Sequence, residues 1–449
     1  MAETFKTHIT NNRIMKRLAI IVMFAATLFG SVSCEKTGFY SEYQEKYKEK
    51  IEAENNRSAK RNPYKALNLS TKSAEFVQKG NAFSFDFIDR VNKSEDVKGD
   101  FITSPLSMQF LLGMVLDGAK GETADEICKV LGYGASEVDS VNAFCLSMLK
   151  QLPDLDKQTT LNIANAIVVN QDYTLLDNYK TTVSRYFEAE VSNMDFNDKL
   201  GTAAKINKWC YDHTNGLIPK IIDEADPRML AYLMNALYFK SQWIESLKFS
   251  KDDTSTEPFT LENGSKKNVQ MMKKPSVELR CNGNDVFSSV ILPYGNGAYN
   301  MLVILPDEGH TLKDVSASLK GEAWPDFIKM AKFCDVDLWL PKFETTSSLT
   351  MNNILSAMGM PTAFDRSKAD FTAMSKNALC LSYVQQDAVI KVDEEGTEAA
   401  AVTHGGMATT AMPDPNSHVI FHADKPFIYL IYESSTGAIL FAGRYSGIE

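Results

Sequence analysis

The sequence predicts an α+β domain in which helices dominate the first half, strands dominate the second, and the sheets are large and mostly antiparallel. Three observations carry this. Helical segments bounded by proline at the start or glycine past the end fill much of Ala74 to Thr214. Period-two or continuous apolar runs take over from Met234 onward. No Pro/Gly/Ser-rich gap, charge block or internal repeat divides residues 70–449, so they read as one domain. Of the 449 residues, 44% are hydrophobic and 23% charged, which supplies a large core.

The chain opens with a different kind of segment. Met15-Lys16-Arg17, the apolar run Leu18 to Phe29 and Ser31-Val32-Ser33-Cys34 read as a secretory signal starting at Met15, with residues 1–14 as an upstream start. The apolar run falls short of the ~20 residues that span a bilayer. A small residue before Cys34 resembles a bacterial lipobox, in which Cys34 is diacylated and becomes the new N-terminus; Ser31 stands where such boxes usually carry leucine. Simple secretion is the alternative. Residues 35–69, rich in Tyr, Glu and Lys, read as a solvated tether.

Within the domain, helices are expected over Ala74 to Val91, from Ser104-Pro105 to Gly118, after Gly121, over Asp177 to Glu188 and over Thr202 to Thr214. Strands are expected over Leu161 to Val169, Met234 to Phe239, Val286 to Leu292, Met301 to Leu305 and Val336 to Leu340. Phe427 to Tyr432 and Ala438 to Gly443 form two more, joined by a hairpin turn at Glu433 to Gly437.

Several function classes are excluded. A net charge of -10 with no dense basic run argues against nucleic acid. Cys128, Cys145, Cys210, Cys281, Cys334 and Cys380 show no C-x-x-C pair and no neighbouring histidine cluster, so neither a metal nor a cofactor is expected. Most of them read as small buried hydrophobes. Ser147-Met148-Leu149-Lys150 matches S-x-x-K, but Lys36-Thr37-Gly38 precedes it in the wrong order and no S-D-N follows. The six histidines lack H-E-x-x-H or G-x-S-x-G context. The protein is therefore not expected to be an enzyme.

The segment EEGTEAAAVTHGGMATTAMPDPNSH after Val392 is too long for an ordinary connection, since structureless loops above ~15 residues are uncommon and usually functional. A flexible linker would have no reason to exclude proline from Asp393 to Met412 or to keep a period of two. Here Thr397, Ala399, Ala401, Thr403, Gly405 and Met407 are uncharged and nearly all small, while Glu398 and His404 fall in the other set. Such alternation suits a strand with one buried face. Small inward residues let it pass between packed neighbours, and proline would delete ladder hydrogen bonds. Gly396 provides the hinge.

Glu394-Glu395-Gly396-Thr397-Glu398-Ala399-Ala400-Ala401 resembles the hinge of inhibitory serpins. Ser104-Pro105-Leu106-Ser107 resembles the shutter helix of that family, and Asn235 to Lys240 with Trp243 its central strand and breach tryptophan. Leu292-Pro293-Tyr294, Ile304-Leu305-Pro306, Leu340-Pro341-Lys342-Phe343, Ala369-Asp370-Phe371, Lys425-Pro426-Phe427 and Leu440 to Arg444 follow in the family's order. Gln386 stands where the family commonly has a shutter histidine, and an amide still donates and accepts there. The loop is longer on its distal side than is common, with Pro413 and Pro415 in the extension.

This resemblance implies the serpin fold, with an exposed reactive-centre loop, and a suicide-substrate inhibitor of serine endopeptidases. Counting fourteen residues from Gly396, the family's spacing, sets the reactive bond at Thr410-Ala411, with Met407, Ala408, Thr409 and Met412 as neighbouring candidates. No Lys or Arg occurs between Gly396 and Asp424, so an elastase-like or subtilisin-like target that accepts small side chains is expected rather than a trypsin-like one. A non-inhibitory serpin acting as a binding or scaffold lipoprotein is the alternative; small uncharged hinge residues argue against it. A monomer is expected, partnered by its target protease and by a membrane through Cys34.

Overall fold

The computed structural model describes residues 62–397 and 418–448, within one unit spanning Asn55–Glu449. Cys34, the signal and most of the tether lie outside the described residues. The last part of the segment read as tether makes contacts with the domain. Leu67 is buried, Leu67 N donates to Ser435 Oγ at 3.0 Å, Asn62 Nδ2 donates to Asp156 Oδ1 at 2.6 Å, and Lys65 pairs with Asp154 at 2.7 Å.

Ser70 accepts a hydrogen bond from Ser73 N at 3.1 Å and caps α1 (Thr71–Lys93). Ser104 does the same for α2 (Pro105–Gly118), accepting from Ser107 N at 3.1 Å, while Pro105 presets the first helical φ. Every residue of α2 except Asp117 is buried, as expected of a helix that is apolar all round. The remaining helices are α3 (Gly121–Leu131), α4 (Val138–Gln151), α5 (Asp177–Tyr186), α6 (Lys199–His213), α7 (Leu312–Ser318), α8 (Trp324–Met330) and α9 (Asn352–Met358).

The strands run in chain order as β1 (Phe101–Thr103), β2 (Thr160–Asn170), β3 (Glu190–Met194), β4 (Ala231–Gln242), β5 (Ser255–Thr260), β6 (Lys266–Gly283), β7 (Phe287–Tyr294) and β8 (Tyr299–Pro306). They continue as β9 (Lys332–Pro341), β10 (Phe343–Thr350), β11 (Gln385–Val392), β12 (Gly396–Thr397), β13 (His418–His422), β14 (Phe427–Glu433) and β15 (Ile439–Tyr445). Two sheets result. One has the order β1-β15-β14-β8-β7-β6-β9-β13, with β5 paired to β6; the other has six strands in the order β10-β11-β12-β4-β2-β3. Helix α2 contacts β4 of the six-stranded sheet and β15 of the other, so the main core lies around it.

β14 and β15 are buried at every position, which fits the apolar runs from Phe427 to Tyr432 and from Ile439 to Gly443. Their hairpin closes because the buried Glu433 carboxylate accepts from Ser435 N at 2.7 Å and Thr436 N at 2.9 Å, and Gly437 takes a φ of 75°. The expected helices and strands occur with boundaries shifted by a few residues. The sequence reading did not name β1, β3, β5, β6, β10 or β13, and two of these have clear reasons. β6 carries Pro275 and a bulge between Lys274 and Val277, and β10 reads FETTSSLT because its inward Ser347 accepts from Ile102 N at 2.8 Å instead of packing as an apolar residue. Cys128, Cys145, Cys210 and Cys334 are buried and Cys281 and Cys380 partly so; all six are unbridged.

Candidate functional site: an unfinished strand position

The chain reverses at the end of β11. Asp393 Oδ1 accepts from Glu395 N at 2.9 Å and Gly396 N at 3.3 Å, while Asp393 N donates to Gly396 O at 2.9 Å. The turn lays β12 between β11 and β4, with Thr397 opposite Val392 on one side and Ser241 on the other. No side chain fits at 396, where a Cβ would lie 2.2 Å from the Ser241 carbonyl oxygen. Glycine is required by this close approach.

Around the turn, each strand contributes a contact. Trp243 N donates to Glu395 O at 2.8 Å and Trp243 Nε1 to Asp393 O at 3.0 Å. The indole stacks on Tyr294, with centroids 4.4 Å apart and planes at 11°. Tyr294 OH lies 2.5 Å from Thr397 Oγ1, which fixes the first inward side chain of the segment. Burial pushes the Tyr294 phenol up, so it stays a neutral hydroxyl.

Glu394 is buried beside this turn. Its Oε2 accepts from Lys342 Nζ at 2.9 Å and its Oε1 from Thr254 Oγ1 at 3.1 Å. Burial alone would raise the carboxyl, but the bonds from Lys342 and Thr254 outweigh it and hold it below the ordinary glutamate range. Glu395 reaches Lys248 at 3.5 Å.

A second polar cluster sits under the middle of the same sheet. Gln386 Oε1 accepts from Ser104 N at 2.9 Å and from Thr103 Oγ1, and Gln386 Nε2 donates to Ser104 O at 2.8 Å. Ser104 Oγ donates to Leu440 O at 2.7 Å. Ser107 Oγ donates to Asn235 Oδ1, Asn235 Nδ2 to Asn165 Oδ1 at 2.7 Å, and Asn165 Nδ2 to Phe187 O at 2.7 Å. The amide of Gln386 thus uses both ends, and a continuous chain ties β11, α2, β4 and β2 together.

Between these two clusters the sheet is incomplete. Among the described residues, β4 and β11 are joined only through Gly396 and Thr397, and no ladder links them farther along. A cavity of about 130 Å3 opens at the second cluster, on the side away from the turn, lined by Met108 and Leu111 of α2, Asn235 and Ala236 of β4, and Gln386 and Asp387 of β11. Burial raises the Asp387 carboxyl. Helix α6 covers the opposite face of β2 and β4, with Ile206 packed among Val168 and Met234 and Asn162 Nδ2 donating to His213 O at 2.8 Å. A strand entering from β12 would run beneath this helix.

The structure thus brings Glu394, Glu395, Gly396, Thr397 and Trp243 together at one end of the gap, and Ser104, Ser107, Asn235 and Gln386 at its middle. Glu398, Ala399, Ala400, Ala401, Met407, Ala408, Thr409, Thr410, Ala411 and Met412 lie outside the described residues. Sequence reasoning missed the roles of Asp393, Thr254, Lys342, Asn165 and Tyr294. Only Asp393 left a local signal, an aspartate two residues before Glu395 in a turn-forming stretch.

A family model described as serpin (serine protease inhibitor) matches residues 78–448. The chain is 32% identical over 377 residues to serpin B6 of Macaca fascicularis, covering 82% of this chain and 98% of that protein. It is also 32% identical to a leukocyte elastase inhibitor of Xenopus laevis, covering 81% and 97%. Among solved structures, the thermophilic serpin tengpin in its native state superposes with a TM-score of 0.74 at 29% identity, over 85% of this chain and 96% of that one.

Proposed function

This chain belongs to the serpin family, and on that premise we propose that it is a suicide-substrate inhibitor of serine endopeptidases with elastase-like or subtilisin-like preference. The observation that carries the reading is the seating of Gly396 and Thr397 as the first two residues of a strand whose remaining position between β4 and β11 has no partner among the described residues. Unpaired sheet edges attract a strand, and the sequence that follows Thr397 is nearly all small and uncharged on the inward set and free of proline as far as Met412.

The chemistry is as follows. The protease serine attacks the carbonyl of Thr410, the amide to Ala411 breaks, and the Ala411 amine leaves, with Thr410 held as an ester on the serine. Release of the proximal half lets it enter the gap while the ester survives. The protease is carried along and its serine is pulled from its histidine, so water is no longer activated and deacylation stalls. Inhibition is a race between insertion and hydrolysis. The likeness to leukocyte elastase inhibitors supports the small-residue preference, as does the absence of Lys and Arg between Gly396 and Asp424.

The test is a titration against a panel of serine proteases. An SDS-resistant complex with an elastase-like or subtilisin-like enzyme, and a released peptide starting within Ala408 to Met412, are expected. Cleavage without a complex, with no gain in heat stability, would make this a non-inhibitory serpin. The reading includes export and a diacylated Cys34 that holds a monomeric inhibitor to a membrane, supported by the run from Met15 to Cys34. Loss of fatty-acid labelling in Cys34→Ala is the expected result, and a secreted, unlabelled wild type would remove the anchor.

A further inference from the structure

The chain that follows Thr397 rejoins the described residues at His418, the first residue of β13. Among the described residues β13 pairs on one side only, in parallel with β9, from His418 opposite Asp335 to His422 opposite Trp339. Its far half is held by packing: Phe421 is buried, Ala423 N donates to Trp339 O at 2.9 Å, and the His422 and Trp339 rings stand 4.0 Å apart. Its near half has no such support, because Ile420 is 68% exposed and His418 is half-exposed. The end of an edge strand frays unless side chains fasten it.

His418 supplies the fastening. Its Nδ1 stands 3.1 Å from Asp335 Oδ2 and its Nε2 3.3 Å from Asp337 Oδ2. Both carboxylates are held from behind by Ser276, which sits in the bulge of β6 with a left-handed φ of 49°. Ser276 N donates to Asp337 Oδ1 at 2.9 Å and Ser276 Oγ to Asp335 Oδ1 at 2.9 Å. One oxygen of each aspartate is thus used by β6, and the other faces the imidazole. Carboxylate oxygens only accept, so a ring set between two of them matches both when both its nitrogens carry protons. A neutral ring turns a lone pair toward one carboxylate. The surrounding charges do not replace either partner. Glu278 of β6 stands opposite Asp335 and adds negative charge, Arg280 donates to Ile328 O and Ala331 O, Lys273 pairs with Glu257 at 2.6 Å, and His422 reaches Asp424 at 3.8 Å.

We propose that His418, Asp335 and Asp337 form a proton-operated clasp that fixes where the chain rejoins the sheet beside β9, closed when the imidazole is doubly protonated and open when it is neutral. With the clasp open, the chain is held from Phe421, three residues later, which adds about 10 Å of reach to what precedes it. On the inhibitor reading above, that reach bears on how the reactive bond is presented to a protease. The clasp itself stands without that reading. Its three side chains act by position and touch no reacting atom.

The experiment is amide hydrogen exchange of the intact protein, read by mass spectrometry on a peptide containing His418–His422 and corrected for the intrinsic effect of pH. Protection in the wild type is expected to fall about three- to tenfold from about pH 5.5 to about pH 8.5, as histidine loses its proton. About 1 M salt should flatten the fall, because all three side chains are partly exposed. His418→Asn should stay near the wild type's high-pH level throughout, Asp337→Asn should keep only part of the fall, and Ser276→Ala should weaken the clasp without altering β13. Flat protection in the wild type would overturn the proposal. So would a slope that survives in His418→Asn, which would assign it to His422, whose burial holds its ring below the usual histidine range. No protease enters the measurement, so a chain that forms no inhibitory complex would remove the inhibitor reading and leave the clasp in place.

Discussion

The centres of the two sheets are built from similar strands and finished differently. β14 is paired along its length on both edges, from Phe427 to Tyr432 against β15 and from Ile428 to Glu433 against β8, and both hairpin strands are wholly buried. β4 is paired from Ala231 to Lys240 against β2, yet among the described residues its other edge pairs only with Gly396 and Thr397. Both regions pack against α2 and share its core. What differs is what borders the open edge: buried hydroxyls and amides, a small cavity and a glycine turn, in place of large interlocking side chains. A sheet held together by groups that re-pair readily is one that can be opened without dissolving the core.

The largest expected effect breaks the comparison at its open side. Thr397→Arg sets a charge where Thr397 is 2% exposed beside Tyr294 and Ser241, and such a charge has no partner inside. Inhibition should fall by more than about tenfold and the protein should become a plain substrate, scored as cleaved chain over complex on a denaturing gel. Retained complex formation would show that Thr397 need not enter the sheet.

Next comes the finished side. Leu430→Ala removes a side chain that is fully buried between β8 and β15 and should cost about 2–5 kcal/mol. Because this hairpin does not take part in insertion, the melting points of intact and cleaved protein should drop together. A drop confined to one form would mean the two sheets are not independent.

A smaller effect is expected from Glu394→Gln, which leaves Lys342 without its carboxylate and should cost about 1–3 kcal/mol. The Glu394 carboxyl titrates below its unfolded value, so its contribution is full above the unfolded pKa and is lost as pH falls through the lower folded one. Acid should therefore loosen the turn in the wild type, speeding loop insertion or unfolding below about pH 4.5, and the variant should lack that acid limb. The smallest effect is Lys208→Ala, which breaks an exposed pair with Asp212 on α6 and should change stability by less than about 0.5 kcal/mol.

Much of this was legible in the chain. The helix start at Ser104-Pro105, the apolar runs of β7, β8, β14 and β15, and the turn at Gly437 follow from local rules. β6 was not, because its proline and bulge break the period, and β10 was not, because two of its inward positions are polar. At the candidate site, Gly396, Trp243 and Gln386 announced themselves through family motifs. The partners of Glu394 did not: Lys342 and Thr254 lie 52 and 140 residues away in sequence, and neither segment carries a mark of the meeting.

By itself, the amino-acid order determined the fold class, the family and the presence of a segment shaped like a strand but placed after one. Those properties are local: spacing, size and charge of neighbours along the chain decide them. Only tertiary structure decided that two residues of the segment are seated, and which side chains hold the turn. Those depend on which distant strands become neighbours, and that is settled by burying one shared core rather than by any short stretch of sequence.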